Sequence, residues 1–562
     1  MKNNNHTSSI KTLFFLCLSV ILFNACDNDD EQIFEKTRLF SPVLNEKLFV
    51  EGNAIIADMA SFKDAIGYTL EVSRDTFKTI DYTIKSDTSY VRIDKNNIGK
   101  DLYWNIRYQV RAMALETDSQ YDSKFSVLGD VRTEVFPSIL NIPNKLGYDV
   151  TDVAARVTWE TENSGKEVTG IKVFLPDDLG LENPLFEETI VTEEQQGLGE
   201  SFVYGLEPAT TYQIAIYSGS EIRGWVNYTT KVADFDPTSP GVIDLSDNED
   251  PGAVVNAVAS AADGDIILVK RGVFYDGPSG GIDKSITIRA AYGFGEQKAR
   301  LLFSGNFDLV SGANIDHLRF IDLECRGTDW SGKYVINASQ PGTLNELSFD
   351  NCYITNFRGI GRIKTDGVTL NNFNINNSVV DSIGSYGVFT QDKSGSVLNN
   401  IKFTKSTFNH TIYFLASKNN SESLIIEDCT LANINEAGKG RHLLRWRESG
   451  QDNITNGITI KNTIIGLGWD KANNGNTDIR GIDGLENTIF STANNYTVSD
   501  FNWYANATTG EPIDPIVDLP IGNANVSQSD LWVDAENNDF NFKDSSFPGK
   551  YDTGDPRWRV KL

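Results

Sequence analysis

A chain of 562 residues is longer than one hydrophobic core sustains, so several domains are expected. Hydrophobic residues at 40% and aromatic residues at 11% exclude a largely disordered chain. A formal charge of −27 excludes nucleic acid as a partner unless a local basic patch overrides it. The 46 glycines suit a turn-rich all-β protein.

In chain order, Lys2 and Lys11 flank a polar start, and residues 13–23 form an apolar stretch too short to span a membrane comfortably. Residues 1–25 read as a signal peptide and 26–37 as an acidic linker. Phe23-Asn24-Ala25-Cys26 resembles a loose lipobox with Cys26 as the lipidated residue, although Leu22 lies one place early and Asn24 is bulky for its slot. The run Asp27-Asn28-Asp29-Asp30-Glu31 resembles the export signal of Gram-negative surface lipoproteins. That resemblance implies an outer-membrane protein, lipid-anchored and facing the exterior. The alternative is an ordinary secretory signal followed by a solvated linker. With Cys17 in the signal, Cys325, Cys352 and Cys429 are expected as inward-stacked small hydrophobes. No CxxC or CxxH spacing suggests a zinc site.

Residues 38–134 and 135–234 read as two small antiparallel sandwiches. Residues 68–72 and 103–111 alternate with period two between polar turns. Leu206-Glu207-Pro208-Ala209-Thr210-Thr211-Tyr212 resembles the tyrosine corner of fibronectin type III modules, in which the tyrosine hydroxyl pins the preceding loop. Such modules usually act as spacers.

A solenoid is predicted over 241–497. Asp250-Pro251 starts a helix that places Ala253, Val254, Ala257, Val258 and Ala261 on one face, and Gly264-Asp265 closes it before an apolar strand. From residue 318 a short pattern recurs, phased on Phe320, Phe349, Ile375, Phe403, Ile426 and Ile460, with steps of 29, 26, 28, 23 and 34 residues. A strand-based repeat of that length signals coils stacking on one another. Asn351, Asn377, Asp428 and Asn462 hold its polar position and are expected to stack as ladders at bends. The helix, "GD" and strand succession resembles the start of pectin-lyase-like right-handed β-helices, where the helix covers the open end of the stack. Residues 498–562, ending in Gly554-Asp555-Pro556-Arg557-Trp558, resemble the C-terminal closure of surface-lipoprotein β-helices, with Trp532 and Trp558 as closure core. The whole order resembles a family of uncharacterised Gram-negative surface proteins encoded with polysaccharide-utilisation systems. The fold class expected is therefore all-β: fibronectin type III-like sandwiches followed by a right-handed parallel β-helix.

A second column aligns Val335-Ile336-Asn337, Arg362-Ile363-Lys364, Val388-Phe389-Thr390, Tyr413-Phe414-Leu415 and Arg445-Trp446-Arg447. With Ile336, Ile363, Phe389, Phe414 and Trp446 inward, alternation puts Arg362, Lys364, Thr390, Tyr413, Arg445 and Arg447 on one outer face. Arg358, Gln391, Lys393, His410, Lys418, Arg441 and His442 would border it. Residues 357–447 carry eleven basic and seven acidic side chains, a net +4 inside an acidic chain. Such a stripe attracts polyanions, and arginine grips carboxylates in bidentate fashion. Trp469 and Trp503 are expected as exposed sugar-stacking platforms.

Three functions follow. The first is capture of an acidic, pectin-type uronate polysaccharide. The second is a lyase acting by β-elimination, which needs a base (Lys364, beside Arg362 and Arg358) and a carboxylate clamp (Arg445 or Arg441), with Ca2+ a candidate cofactor in that case only. The third is an adhesin without a sugar site. No arginine–proline motif of the calcium-dependent pectate lyases is present, and Asp366 and Asp392 are the nearest approach to a hydrolase pair. The implied partners are the polysaccharide, the outer membrane through the lipid, and other polysaccharide-utilisation surface proteins.

Overall fold

The computed structural model describes residues 36–144, 147–162, 165–438, 440–448, 450, 452–516 and 521–560. Cys26, the signal and most of the acidic linker lie outside the described residues. Two compact bodies divide the rest: one runs through Ile139 and includes Asp177–Asn183, and the other holds Leu140–Pro176 and everything from Pro184 on.

The first body is antiparallel. Its three-stranded sheet holds Phe49–Glu51, Ala54–Asp58 and Tyr90–Ile93; its four-stranded sheet runs Tyr82–Ser86, Gly67–Ser73, Arg107–Leu115, Ser126–Arg132. Alternation along Arg107–Leu115 buries Tyr108, Val110, Ala112 and Ala114 against Ile55, Leu70 and Val72. The strand predicted from residue 103 begins later, at Arg107. The Tyr103 N–H bonds the Tyr108 hydroxyl at 3.0 Å and Asn105 adopts φ +55°, so the chain folds back before it extends.

In the second body the same device recurs. The Glu207 N–H donates to the Tyr212 hydroxyl at 2.9 Å, the corner read from the sequence. Tyr212 opens Thr211–Ser218, which pairs with Gly170–Phe174 and Glu221–Thr229, while Glu200–Tyr204 pairs with Ala154–Thr158. The antiparallel sheets of both sandwiches resemble fibronectin type III modules.

From Val242 the chain coils as a parallel β-solenoid with three faces. The first face is a ten-stranded sheet from Val242–Leu245 to Phe490–Ala493. The second runs from Phe274–Asp276 to Ile521–Asn523, and the third from Gly280–Ile282 to Arg480–Asp483. Phe320, Phe349, Ile375, Phe403, Ile426 and Ile460 pair turn upon turn in the register the repeat predicts. Each is at most 1% exposed, and the rings of Phe320 and Phe349 stack at 5.0 Å. Burying each such side chain contributes about 1.5–3 kcal/mol, so the stack carries the fold. Cys325, Cys352 and Cys429 are buried free thiols within this interior. Helix Ala253–Ser260 packs Ala253, Val254 and Ala257 onto the interior at its start.

The bend between the first and second faces requires left-handed backbone, which asparagine and aspartate tolerate. Asp322, Asn351, Asn377, Asp428 and Asn462 have φ between 46° and 57°. Their side chains bond along the stack, Asn351 to Asp322 at 2.9 Å and Asn462 to Asp428 at 3.1 Å, the ladder expected of this position.

The C-terminal segment lies along the outside of the second face. Ile464 points outward by alternation from inward Ile465, yet it is buried in a separate cluster with Leu531, Trp532, Phe540 and Phe547, against which Trp558 packs. Asp555 accepts from the Thr407 hydroxyl at 2.8 Å, and Trp558 Nε1 donates to the same hydroxyl.

Candidate functional site on the third face

The third face holds the residues from which the charged stripe was predicted. Ile336, Ile363, Phe389, Phe414 and Trp446 are all buried, as expected. Their register differs from the predicted column. Ile336 lies opposite Gly361, Gly361 opposite Phe389, Phe389 opposite Leu415, and Leu415 opposite Leu444. Ile363 faces Gln391 instead, and Trp446 faces Ser417. The cause is a shift between Phe357 and Gly359, after which Gly361 accommodates the Phe389 ring; a Cβ there would overlap that ring. The outward column is therefore Asn337, Arg362, Thr390, Ala416, Arg445 and Asp483. Beside it the ladder continues with Lys364, Asp392, Lys418 and Arg447, whose N–H groups bond the preceding turn.

Thr390, Asp392, Ala416, Lys418, Arg445 and Arg447 line a cleft together with Tyr386 and Tyr413, and Arg362 and Asp483 join it through ion pairs with that lining. The Arg362 guanidinium lies over the Tyr386 ring at 4.1 Å and Arg358 over the same ring at 4.6 Å. Arg441 lies over Tyr413 at 4.3 Å and hydrogen-bonds its hydroxyl. Two acidic groups at the cleft each serve two cations. Asp392 holds Arg362 at 2.7 Å and Lys418 at 3.9 Å, and Asp483 holds Arg445 at 3.1 Å and Arg447 at 4.0 Å. Two cations per carboxylate leave residual positive charge at both pairs.

Several predicted members stand elsewhere. Gln391 borders the cleft but is 1% exposed; its amide donates to the carbonyls of Lys393 and Ser396 and accepts from the Lys418 N–H, so its polar atoms hold a turn. His442 is buried against Asp514 at 3.0 Å, beneath the face. His410 sits at the bend between the second and third faces, φ +47°, between Asp381 at 2.9 Å and Glu536 at 3.1 Å. Burial works against its charged form, but the two carboxylates outweigh it and raise its pKa. Trp469 packs edge-on to His410 at 5.2 Å and tilts against Trp330 at 6.2 Å, half-buried at that bend. Trp503 packs on the interior, edge-on to Phe501, and is no free platform. Lys393 is exposed in the adjoining turn. Lys402 belongs to the first face and Lys405 to its bend, so the net +4 is not gathered in one stripe. Lys439 lies outside the described residues.

Sequence reasoning missed Tyr386, Asp483 and Asp514. Tyr386 precedes Gly387, whose φ of +65° bends the strand, and a Tyr-Gly pair inside a strand pattern was the available signal. Asp483 and Asp514 come from turns beyond residue 447 and reach the face only through coiling.

Lys364 stands exposed past a strand end, whereas a proton-abstracting lysine base is held in a desolvated pocket. The carboxylates do not fit calcium: Asp392 and Asp483 are occupied by guanidinium groups, and among the described residues no cluster of three or more His, Cys, Asp and Glu side chains could hold a metal ion. Asp366 accepts the Gly395 N–H at 3.0 Å, a turn-capping contact. The geometry is suited to holding planar anionic groups against aromatic rings.

Comparison with known proteins agrees with a solenoid of unassigned role. Two family models match it, Domain of unknown function (DUF4957) over residues 275–411 and Domain of unknown function (DUF5123) over residues 424–558. No curated protein matches the chain. Among solved structures, the FN1–FN3 domains of chicken CNTN1 match at 13% identity, covering 35% of this chain and 69% of that one, with a TM-score of 0.15, too low to carry an argument. No helix of the described residues is long and apolar enough to cross a membrane.

Proposed function

We propose that the third face binds an acidic polysaccharide of the uronate type and that the chain is a surface lipoprotein anchored through Cys26. Sugar rings would lie on Tyr386 and Tyr413, and their carboxylates would draw on Arg362, Lys418, Arg445 and Arg447. The observation that carries this reading is the sharing of Asp392 and Asp483 by two cations each, beside tyrosines already stacked by arginines. A guanidinium half-satisfied by one carboxylate keeps donors for a second, and an aromatic face suits the apolar face of a pyranose. Capture is favoured over β-elimination because Lys364 is solvated. The sandwiches would act as spacers from the membrane, and other surface proteins of polysaccharide utilisation would be natural partners.

The test is gel retardation of the full chain by polygalacturonate, by its methyl ester and by a neutral glucan. Retardation by the free acid alone supports the reading. Equal retardation by all three, or by none, overturns it. Growth of ultraviolet absorbance from an unsaturated product would move the assignment to the lyase.

A further inference from the structure

A second charged cluster lies far from this face, where the second sandwich meets the first turns of the solenoid. Arg271, Lys298, Arg289 and Asp322 have side chains only 9, 12, 8 and 11% exposed. Asp322 takes Arg271 Nη1 and Lys298 Nζ, the latter at 2.6 Å, and Arg289 pairs with Asp234 at 3.0 Å. Lys231, from the end of the sandwich, enters the same cluster with its ammonium 4.8 Å from the Tyr292 ring. Tyr148, also from the sandwich, lies under Arg271 at 5.1 Å and Lys298 at 5.4 Å. Four cations thus face two carboxylates.

The imbalance is local. Arg271 uses Nε on the Gly295 carbonyl and Nη1 on Asp322, while Nη2 is buried with no hydrogen-bond partner. No acceptor among the described residues takes a hydrogen bond from Lys231 Nζ. The two side chains flank one turn: Lys231 covers Tyr292, and the Arg271 stem lies against Gly293. Lys231 lies against Gly147 and Arg271 over the ring of the next residue, Tyr148, so the two side chains share one patch of the sandwich; burial depresses the Lys231 pKa, Asp322 offsets this, and Arg271, Lys298 and Arg289 deepen it. Leaving a charged donor such as Arg271 Nη2 buried and unpaired costs more than an ordinary lost hydrogen bond, and the half-buried Lys231 ammonium adds a second positive charge beside it. Water would supply an acceptor but no compensating charge.

We propose that this junction binds a small monovalent anion, of chloride's size and chemistry, between Arg271 Nη2 and Lys231 Nζ. The ion completes the charge balance and fastens the second sandwich to the solenoid, because one donor comes from each.

The experiment compares thermal unfolding of the full chain in sodium chloride and sodium bromide with unfolding in sodium gluconate of equal ionic strength, whose anion is several times larger than a halide. Chloride and bromide are expected to raise the melting temperature by about 2 °C over gluconate. The increment should vanish in Lys231→Met and in Arg271→Lys; the second keeps a cation for Asp322 should the first fail to fold. A bromide-soaked crystal should show an anomalous peak between the two donors. Equal melting temperatures in all three salts with no bromide peak there would overturn the proposal. So would a halide increment that persists unchanged in a folded variant.

Discussion

Asp483→Asn is expected to tighten binding of an acidic oligosaccharide to the third face. Asp483 Oδ2 lies 3.1 Å from Arg445 Nε and 4.0 Å from Arg447 Nη1, so it competes with any carboxylate arriving at these two cations. Its side chain is 32% exposed, which screens its repulsion of a ligand. Removing that repulsion is worth about 0.5–1 kcal/mol, or about two- to fivefold in affinity at low salt. Arg445→Ala acts oppositely, removing a charge-assisted contact of about 1.5–2 kcal/mol, or about 10–30-fold. Calorimetric titration with oligogalacturonate at two salt concentrations reads both changes. The Asp483→Asn gain should shrink as the screening length falls from about 10 Å at 0.1 M to about 3 Å at 1 M. If Asp483→Asn weakens binding, the carboxylate contacts the ligand itself and the reasoning fails; a gain independent of salt refutes it equally.

Three further outcomes concern the scaffold. Because the His410 pKa is raised in the fold, its pairing with Asp381 and Glu536 stabilises fully below the unfolded value of about 6.5 and is lost as pH rises through the folded value. Melting curves across that window should show the wild-type advantage over His410→Gln disappearing as pH increases; an advantage that grows with pH contradicts the assignment. Asp555→Ala strips the partner of Arg557, only 7% exposed, and of the Thr407 hydroxyl, and should cost about 3–5 kcal/mol in urea unfolding. Asp555→Asn keeps an acceptor for the Arg557 N–H and should cost less; equal losses would mean that burial, not hydrogen bonding, sets the effect. At Asn377, φ +46°, valine should destabilise by roughly 1–2 kcal/mol and glycine by much less. A valine variant as stable as the glycine one would remove the backbone explanation of the ladder.

The solenoid was legible because its inward residues obey one rule at every turn. Phe320, Phe349, Ile375, Phe403, Ile426 and Ile460 precede a polar residue in left-handed conformation, followed in all but the first turn by a small one, so the phase is marked twice. The third face lacks such a marker. Gly359, Ile360 and Gly361 follow a register shift, and an inward glycine opposite Phe389 is invisible to an apolar pattern. The charge count failed for a related reason: a window on the sequence stops at residue 447, whereas coiling returns Asp483 and Asp514 to the same wall. Gln391 and His442 show the other limit, since polar residues in strands can be buried partners of the backbone or of a carboxylate, and composition cannot distinguish these from ligand-facing groups. The Tyr212 corner was readable because its hydroxyl meets one N–H five residues earlier, a purely local bond, whereas the matching bond of Tyr108 lay hidden in an alternating run that read as strand.

The most direct test is a structure of the full chain soaked with oligogalacturonate. Sugar rings against Tyr386 and Tyr413, with carboxylates at Arg445, Arg447 or Lys418, are predicted. Sugar bound only on another face, or no bound sugar at concentrations that retard the protein in gels, would contradict the account.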